Sequence, residues 1–174
     1  MERSDRVRRL FWASDLWASG VMFLSSYESS VDVKKRVSIP APFRKALAGE
    51  DSVYLWPSID KPCIEGAGYA LVEGYGASIS DLDLLDPARN ALATFIMGEA
   101  RPARYDEGGR IVLDPELIAK AGIKDKVRFV GLGDRFQIWN PDAFDAARAE
   151  IHALALKNIN LLKSKPRPVG QAAE

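Results

Sequence analysis

Two stretches of the sequence share one pattern, and this pattern decides the fold. The first reads Asp32-Val-Lys-Lys-Arg-Val-Ser-Ile-Pro-Ala-Pro-Phe43, and the second reads Asp106-Glu-Gly-Gly-Arg-Ile-Val-Leu-Asp-Pro-Glu-Leu117. At an offset of 74 residues they align without a gap, so that the aspartates and the arginines coincide. The apolar residues that follow keep the same phase in both stretches. Such an internal repeat predicts two copies of one supersecondary unit.

Each copy predicts the same order of elements. A strand leads into a polar connection that opens on the aspartate, whose side chain can bond the backbone amides ahead of it and hold a turn. A second strand follows, with apolar residues at every other position. Proline then marks the entry to a short helix, and Gly49 or Gly122 marks its end. The predicted elements are strands over 22–28 and 36–39 and a helix over 43–48 in the first copy, and strands over 101–105 and 110–113 and a helix over 116–121 in the second.

The remaining segments complete two halves of the chain. We expect a first unit over 22–98 and a second unit over 99–158 that ends in a helix. Residues 1–21 are expected to form an extension outside the fold, with Met22 favoured as the true start of translation. Residues 159–174 are expected to form a mostly disordered basic tail. Further strands are predicted over 52–56, 69–72, 127–131 and 135–139, and longer helices over 87–98 and 141–162.

The composition argues against several classes of function. The 174 residues carry a formal net charge of zero, so bulk charge gives no support to a nucleic-acid partner. One cysteine and one histidine exclude an internal disulfide and a four-ligand zinc site. No apolar run reaches the roughly 18 residues of a membrane span. The sequence has no Walker loop and no dinucleotide fingerprint, while Asp114 and Glu116 fit the start of a helix. We therefore expect no enzyme, no cofactor, no metal and no small-molecule substrate.

The charges are unevenly distributed along the chain. Residues 34–45 contain five basic residues and no acidic one, whereas the charged residues in 51–100 are mainly acidic. This asymmetry fits a basic face turned towards phosphate, and on composition alone it fits a solvated surface equally well. The five basic residues are Lys34, Lys35, Arg36, Arg44 and Lys45.

The chain also resembles the MraZ family over about residues 22–158. Its opening, Met22 to Glu28 followed by Asp32 to Pro40, is similar to the opening of MraZ proteins. Gly109-Arg-Ile-Val-Leu113, Ala121-Gly-Ile123 and the run from Phe129 to Trp139 resemble their second half, and that last run is long and specific. One position departs from the family, which usually has glycine where this chain has Lys35.

The resemblance implies both a fold and a function. The fold would be α+β and β-rich, with tandem AbrB-like swapped-hairpin β-barrel units and short flanking helices, forming a pseudo-twofold pair in one chain. The function would be transcriptional regulation of the division and cell-wall gene cluster, by binding direct repeats near its own promoter as a ring-shaped homo-oligomer. Double-stranded DNA and further copies of the chain would be its partners. It would lie in the cytoplasm, associated with the nucleoid.

The doubled Asp-x-x-x-Arg motif of that family falls on Asp32/Arg36 and Asp106/Arg110. Arg36 is predicted to contact a base, because its planar fork matches O6 and N7 of guanine; the alternative is an ion pair with Asp32 that fixes the turn. Arg110 ranks below Arg36, because the charges around it are mixed. Asp32 and Asp106 are predicted to organise turns. Contacts with phosphates are predicted for Lys34, Lys35, Arg44 and Lys45.

Two other functions compete with this interpretation. The chain could be a ring-forming structural or scaffold protein with a protein partner, which would show no salt-dependent affinity for DNA. It could also be an antitoxin-like AbrB relative, although such proteins usually carry one copy of the fold and a partner-binding tail. The internal duplication argues against the second alternative.

Overall fold

A computed structural model of the protein describes residues 22–47 and 49–163. The expected extension over 1–21, Ala48 and the tail from Ser164 lie outside the described residues. The described residues up to Pro141 form one compact unit, and those from Asp142 onwards form a second.

The described residues form eight strands and five α-helices. A π-helical turn (Ala93–Met97) continues the helix Pro87–Leu92, and a 3-10 turn (Ile159–Lys163) continues the helix Pro141–Asn158. The strands are β1 (Ser26–Ser30), β2 (Arg36–Ser38), β3 (Ser52–Pro57), β4 (Cys63–Ala67), β5 (Arg101–Arg104), β6 (Arg110–Val112), β7 (Lys126–Gly131) and β8 (Phe136–Trp139). The helices are α1 (Ala41–Ala46), α2 (Tyr69–Ser80), α3 (Pro87–Leu92), α4 (Pro115–Lys120) and α5 (Pro141–Asn158).

Six strands form an antiparallel sheet in the order β1-β7-β8-β4-β3-β5. The repeat offset carries β1, β3 and β4 of the first copy closely onto β5, β7 and β8 of the second. The sheet therefore has the same order when it is followed from either edge. This is the pseudo-twofold arrangement that the resemblance implied.

The two repeats exchange strands. β1 pairs with β7 of the other repeat, β5 pairs with β3, and β4 and β8 join the two sides at the centre. Each repeat thus places its first strand beside the third strand of the other. The swapped arrangement implied by the resemblance is confirmed, and the two repeats share a single core.

β2 and β6 form a separate two-stranded ribbon that closes over this core. Val37 lies opposite Ile111, and both side chains are 1% exposed. Phe43 of α1 is fully buried, and its ring packs edge-on against Phe23 and Tyr27 at centroid distances of 5.3 and 5.4 Å. Sheet and ribbon together enclose the core, but the described strands do not pair into one continuously closed barrel.

One predicted strand is wrong. The strand expected over 69–72 is the first turn of α2, and the strand that pairs with β3 is β4, Cys63–Ala67. All five residues of β4 are buried, so β4 lacks the alternation that identifies a strand in the sequence. The start of α2 is fixed from a distance, because the carboxylate of Glu50 accepts a hydrogen bond from the amide of Tyr69 at 2.8 Å.

Candidate nucleic-acid interface

The first Asp-x-x-x-Arg motif forms a turn that is held by its aspartate. Oδ1 of Asp32 accepts hydrogen bonds from the backbone amides of Lys34 and Arg36, at 2.8 and 2.9 Å. Oδ2 accepts a hydrogen bond from Nε of Arg36 at 2.7 Å and lies 2.7 Å from its Nη2. The amide of Lys35 donates to the backbone carbonyl of Asp32 at 2.9 Å. One carboxylate thus fixes both the turn and the direction of the arginine.

The second motif repeats this geometry. Oδ1 of Asp106 accepts hydrogen bonds from the amides of Gly108 and Arg110, each at 2.9 Å. Oδ2 accepts a hydrogen bond from Nε of Arg110 at 2.8 Å. The amide of Gly109 donates to the carbonyl of Asp106 at 2.9 Å. The two turns are therefore equivalent in structure as well as in sequence.

The residue before each arginine takes the left-handed conformation. Lys35 has a φ of 60°, and Gly109 has a φ of 70°. Glycine adopts such angles freely, whereas lysine does so at a cost. Lys35 therefore keeps the turn of its glycine-bearing counterpart and adds a positive charge to it.

These bonds also keep both aspartates ionised. The backbone amides of Arg36 and Arg110 lower the pKa of Asp32 and Asp106, and hydrogen bonds from the two guanidinium groups lower it further. Ionised carboxylates are the form that binds arginine. The two Asp–Arg pairs therefore persist throughout the neutral pH range.

The strand register brings both arginines to one face of the ribbon. Arg36 lies opposite Val112, and Ser38 lies opposite Arg110. Because alternate residues of a strand point to the same side, these four side chains lie on the face opposite the buried Val37. Ser38 and Val112 are exposed, and the two arginines are partly exposed.

Ser38 and Val112 are absent from the sequence-based prediction of the site. The alternation of buried and exposed residues in each short strand was the available signal, since it places residues 36 and 38, and 110 and 112, on the same side. The cross-strand register, which joins the two pairs into one surface, cannot be read from either strand alone.

The predicted phosphate-contacting residues lie in two different environments. Lys34 and Lys35 are exposed in the first turn, and Lys45 is exposed on α1. Arg44 is partly buried, and its Nη1 donates to the carbonyl of Ile39 at 2.8 Å. Its side chain also lies against Gly109 of the second turn, so it joins the two repeats.

The two ends of the ribbon differ in charge. The first turn carries Lys34 and Lys35, where the second turn has Gly108 and Gly109. In the second repeat, Arg101 is paired with the carboxylates of Asp114 and Glu116, which offset its charge. The basic character of this face is therefore concentrated at the first turn.

Several known proteins similar to this chain carry the same name. A family model described as "MraZ protein, putative antitoxin-like" matches residues 96–160. The transcriptional regulator MraZ of Phenylobacterium zucineum is 43% identical over 147 residues, which cover 84% of this chain and 92% of the relative. That of Caulobacter vibrioides is 40% identical over 84% of this chain and 94% of its own length. That of Hyphomonas neptunium is 37% identical, with coverages of 79% and 81%.

The chain belongs to the MraZ family. Its relatives named here are transcriptional regulators, and this is the class that the resemblance implied. Within an MraZ fold, the two turns and the ribbon are the parts in which the motif residues come together.

The other groups that could have indicated chemistry in this chain are explained by the fold. Oδ1 of Asp114 accepts a hydrogen bond from the amide of Glu116 at 2.8 Å and caps α4. Cys63 is buried, and burial raises the pKa of its thiol to about 12, so it stays protonated. In the described part of the chain, no cluster of three or more His, Cys, Asp or Glu side chains could hold a metal ion. None of the described helices is long and apolar enough to cross a membrane.

Proposed function

We propose that this protein is a sequence-specific DNA-binding regulator of transcription that inserts the β2/β6 ribbon into the major groove. The observation that carries the proposal is the pair of arginines on the exposed face of that ribbon, each fixed by its own aspartate. The major groove of B-form DNA is wide enough to admit a two-stranded ribbon. Membership of a family of transcriptional regulators supports the same conclusion.

The ion pair with Asp32 is compatible with base contact by Arg36. Asp32 binds the edge of the guanidinium that carries Nε and Nη2. Arginine has five N–H donors, so the end formed by Nη1 and Nη2 keeps donors for O6 and N7 of guanine. Because the side chain is already held in one direction, less conformational entropy is lost on binding. The structural and the DNA-contacting role of Arg36 thus support each other.

The remaining site residues divide by the kind of contact they make. Lys34, Lys35 and Lys45 are exposed at the basic end and bind phosphates, which adds a salt-dependent and sequence-independent part to the affinity. Arg44 contributes a weaker phosphate contact, because it is also bonded within the protein. Arg110 reads a second base, while Asp32 and Asp106 organise the turns.

The ribbon of one chain is short, since each of its strands has three residues. Several copies therefore act together, as a ring-shaped homo-oligomer on spaced direct repeats, and linkage raises the effective concentration of each later contact. The proposed target is the promoter of the division and cell-wall gene cluster, bound in the cytoplasm at the nucleoid. The units over 22–98 and 99–158 are the two repeats of each subunit.

Fluorescence anisotropy tests this function with a fragment of the organism's division-cluster promoter and a scrambled fragment, from about 50 to about 200 mM salt. Specific binding that falls steeply with salt is expected. Arg36→Ala should lose on the order of 10- to 100-fold in specific affinity with its fold intact. Arg128→Ala is the matched control, because Arg128 is also paired with a carboxylate, Glu28, but lies on the sheet.

Two results would contradict the proposal. Full-strength promoter binding by Arg36→Ala would remove Arg36 from the interface. Equal and weak binding of both fragments by the wild-type chain would exclude a sequence-specific regulator and favour the scaffold alternative, in which the oligomer has a protein partner.

A further inference from the structure

The exposed face of the ribbon has two symmetric and two asymmetric positions. The repeat offset relates Arg36 to Arg110, and it relates Ser38 to Val112. The register places one member of each pair opposite one member of the other, Arg36 with Val112 and Ser38 with Arg110. A pseudo-twofold axis through the ribbon therefore relates one arginine to the other. It also relates Ser38 to Val112, and because these two residues differ, the exposed face is not symmetric.

Val112 is an exposed aliphatic side chain on a short strand whose neighbouring residue is buried. Val112 is 57% exposed, whereas the neighbouring Ile111 is 1% exposed and belongs to the core. Burial in the fold thus gives no reason for valine at this position. An apolar side chain beside an arginine that faces the major groove is suited to the methyl group of thymine. The hydroxyl of Ser38 can instead donate or accept a hydrogen bond at a base edge.

The spacing of these side chains matches that of base pairs. Diagonal partners across an antiparallel pair, such as Arg36 and Arg110, have Cα atoms about 7–8 Å apart. Successive base pairs rise by about 3.4 Å, so the two arginines reach positions about two steps apart. Ser38 and Val112 lie on the other diagonal, beside the same few base pairs.

We propose that Ser38 and Val112 are base-reading residues that give the DNA site a direction. The inference rests on the proposed function and adds one property of the bound DNA element, which is its direction. Val112 contacts a thymine methyl group beside the base read by Arg36, and Ser38 hydrogen-bonds a base edge beside the base read by Arg110. Two arginines alone would read an inverted, palindromic element. Serine and valine make the element directional, and the basic first turn favours the same single orientation.

The test uses the full-length chain and a double-stranded promoter fragment that the wild-type chain binds. Each base pair is replaced in turn, each thymine is also replaced by uracil to remove its methyl group, and affinity is measured by anisotropy at constant salt. For the wild-type chain, uracil at one position should weaken binding about fourfold, which is the effect of one buried methyl-sized group. Val112→Ser should lose this sensitivity, and Ser38→Val should change base preference at a different position.

The exchange variant Ser38→Val/Val112→Ser should bind best when the preferred bases at these two positions are exchanged. Val33→Ser is the matched control, because Val33 is 96% exposed but lies in the first turn and not on the strand. It should keep the wild-type base preferences. The uracil series on the wild-type chain tests the thymine contact even if a variant fails to fold.

The outcomes separate this inference from the proposed function. Unchanged base preferences in both single variants, with Arg36→Ala still losing specific binding, would overturn the inference alone. Insensitivity of the wild-type chain to every uracil substitution would overturn the role of Val112. A wild-type chain that does not distinguish promoter from scrambled DNA would overturn the proposed function itself.

Discussion

Lys35 and Gly109 occupy equivalent positions with different energetic demands. Both have a positive φ, which costs a residue with a side chain about 1 kcal/mol or more. Gly109 is also restricted by packing, since a Cβ atom there would lie 2.8 Å from Nη1 of Arg44 and 2.9 Å from its Cδ. A side chain at position 109 would thus meet both backbone strain and the side chain of Arg44, whereas Lys35 in the first turn carries only backbone strain.

We therefore expect Lys35→Gly to raise the free energy of unfolding by up to about 1 kcal/mol, since it relieves that strain. Gly109→Ala should lower it by about 1 kcal/mol or more. Thermal and urea unfolding measure both changes. Lys35→Gly should also reduce the salt dependence of DNA binding, because one phosphate-neutralising charge is lost per subunit. A stabilising Gly109→Ala would contradict the packing argument, and an unchanged salt dependence would place Lys35 away from DNA.

The two short helices begin differently. Asp114 caps α4 through its bond to the amide of Glu116, and it is also paired with Arg101 of β5. The equivalent position in the first repeat is Pro40, and α1 has no side-chain cap. The second helix thus depends on one aspartate for its start, while Asp114 and Glu116 share the ion pairs that link it to Arg101 of β5.

Asp114→Ala should lower the free energy of unfolding by about 1 kcal/mol, because the helix loses its cap. Asp114→Asn separates the two roles, since asparagine still caps a helix but carries no charge. Asp114→Asn should lower the free energy of unfolding by less than Asp114→Ala does, because partly exposed ion pairs contribute little. Urea denaturation measures the difference. Equal losses for the two variants would assign the effect to the pair with Arg101, and neither variant should alter DNA binding.

The exchange of strands makes the two repeats interdependent in the whole molecule. β1 has its sheet partner in the second repeat, and β5 has its partner in the first. The buried core likewise draws Phe43 from one repeat and Phe129 from the other, with ring centroids 6.2 Å apart. A single repeat therefore leaves both strand edges and apolar surface uncovered.

We expect residues 22–98 and 99–174, expressed separately, to give no folded monomer. Mixed after denaturation, they should form a one-to-one complex with the circular dichroism spectrum of the intact chain. Light scattering after size exclusion gives the stoichiometry. A chain cut between residues 98 and 99 after folding is the control and should remain one complex. Cooperative unfolding of either half as a monomer would contradict the interdependence of the repeats.

Local chemistry made much of this fold predictable. Proline and glycine mark the limits of α1 and α4 closely, and the aspartate at the start of each motif identifies the turns. Trp56 and Trp139, which lie on apolar strands, are buried. The helix limits and the turns depend on residues only a few positions apart, so the local sequence pattern predicts them.

Other features depend on contacts between distant residues. β4 is a strand because β3 and β8 flank it, and its Glu65 is tolerated near the core because Arg135 and Gln137 donate hydrogen bonds to it at 3.1 and 2.7 Å. The helix α2 starts where a carboxylate 19 residues earlier binds its first amide. Neither interaction leaves a periodic signal, and for this reason the predicted strand over 69–72 was wrong.

By itself, the sequence determined the two repeats, the two turns and the arginines that they orient, because each rests on short-range hydrogen bonding and on the preferences of proline and glycine. Only the tertiary structure decided that the repeats exchange strands and that β2 pairs with β6. The physical reason is that antiparallel pairing fixes register between residues 72 to 76 apart, and that register alone places Arg36, Ser38, Arg110 and Val112 on one exposed surface.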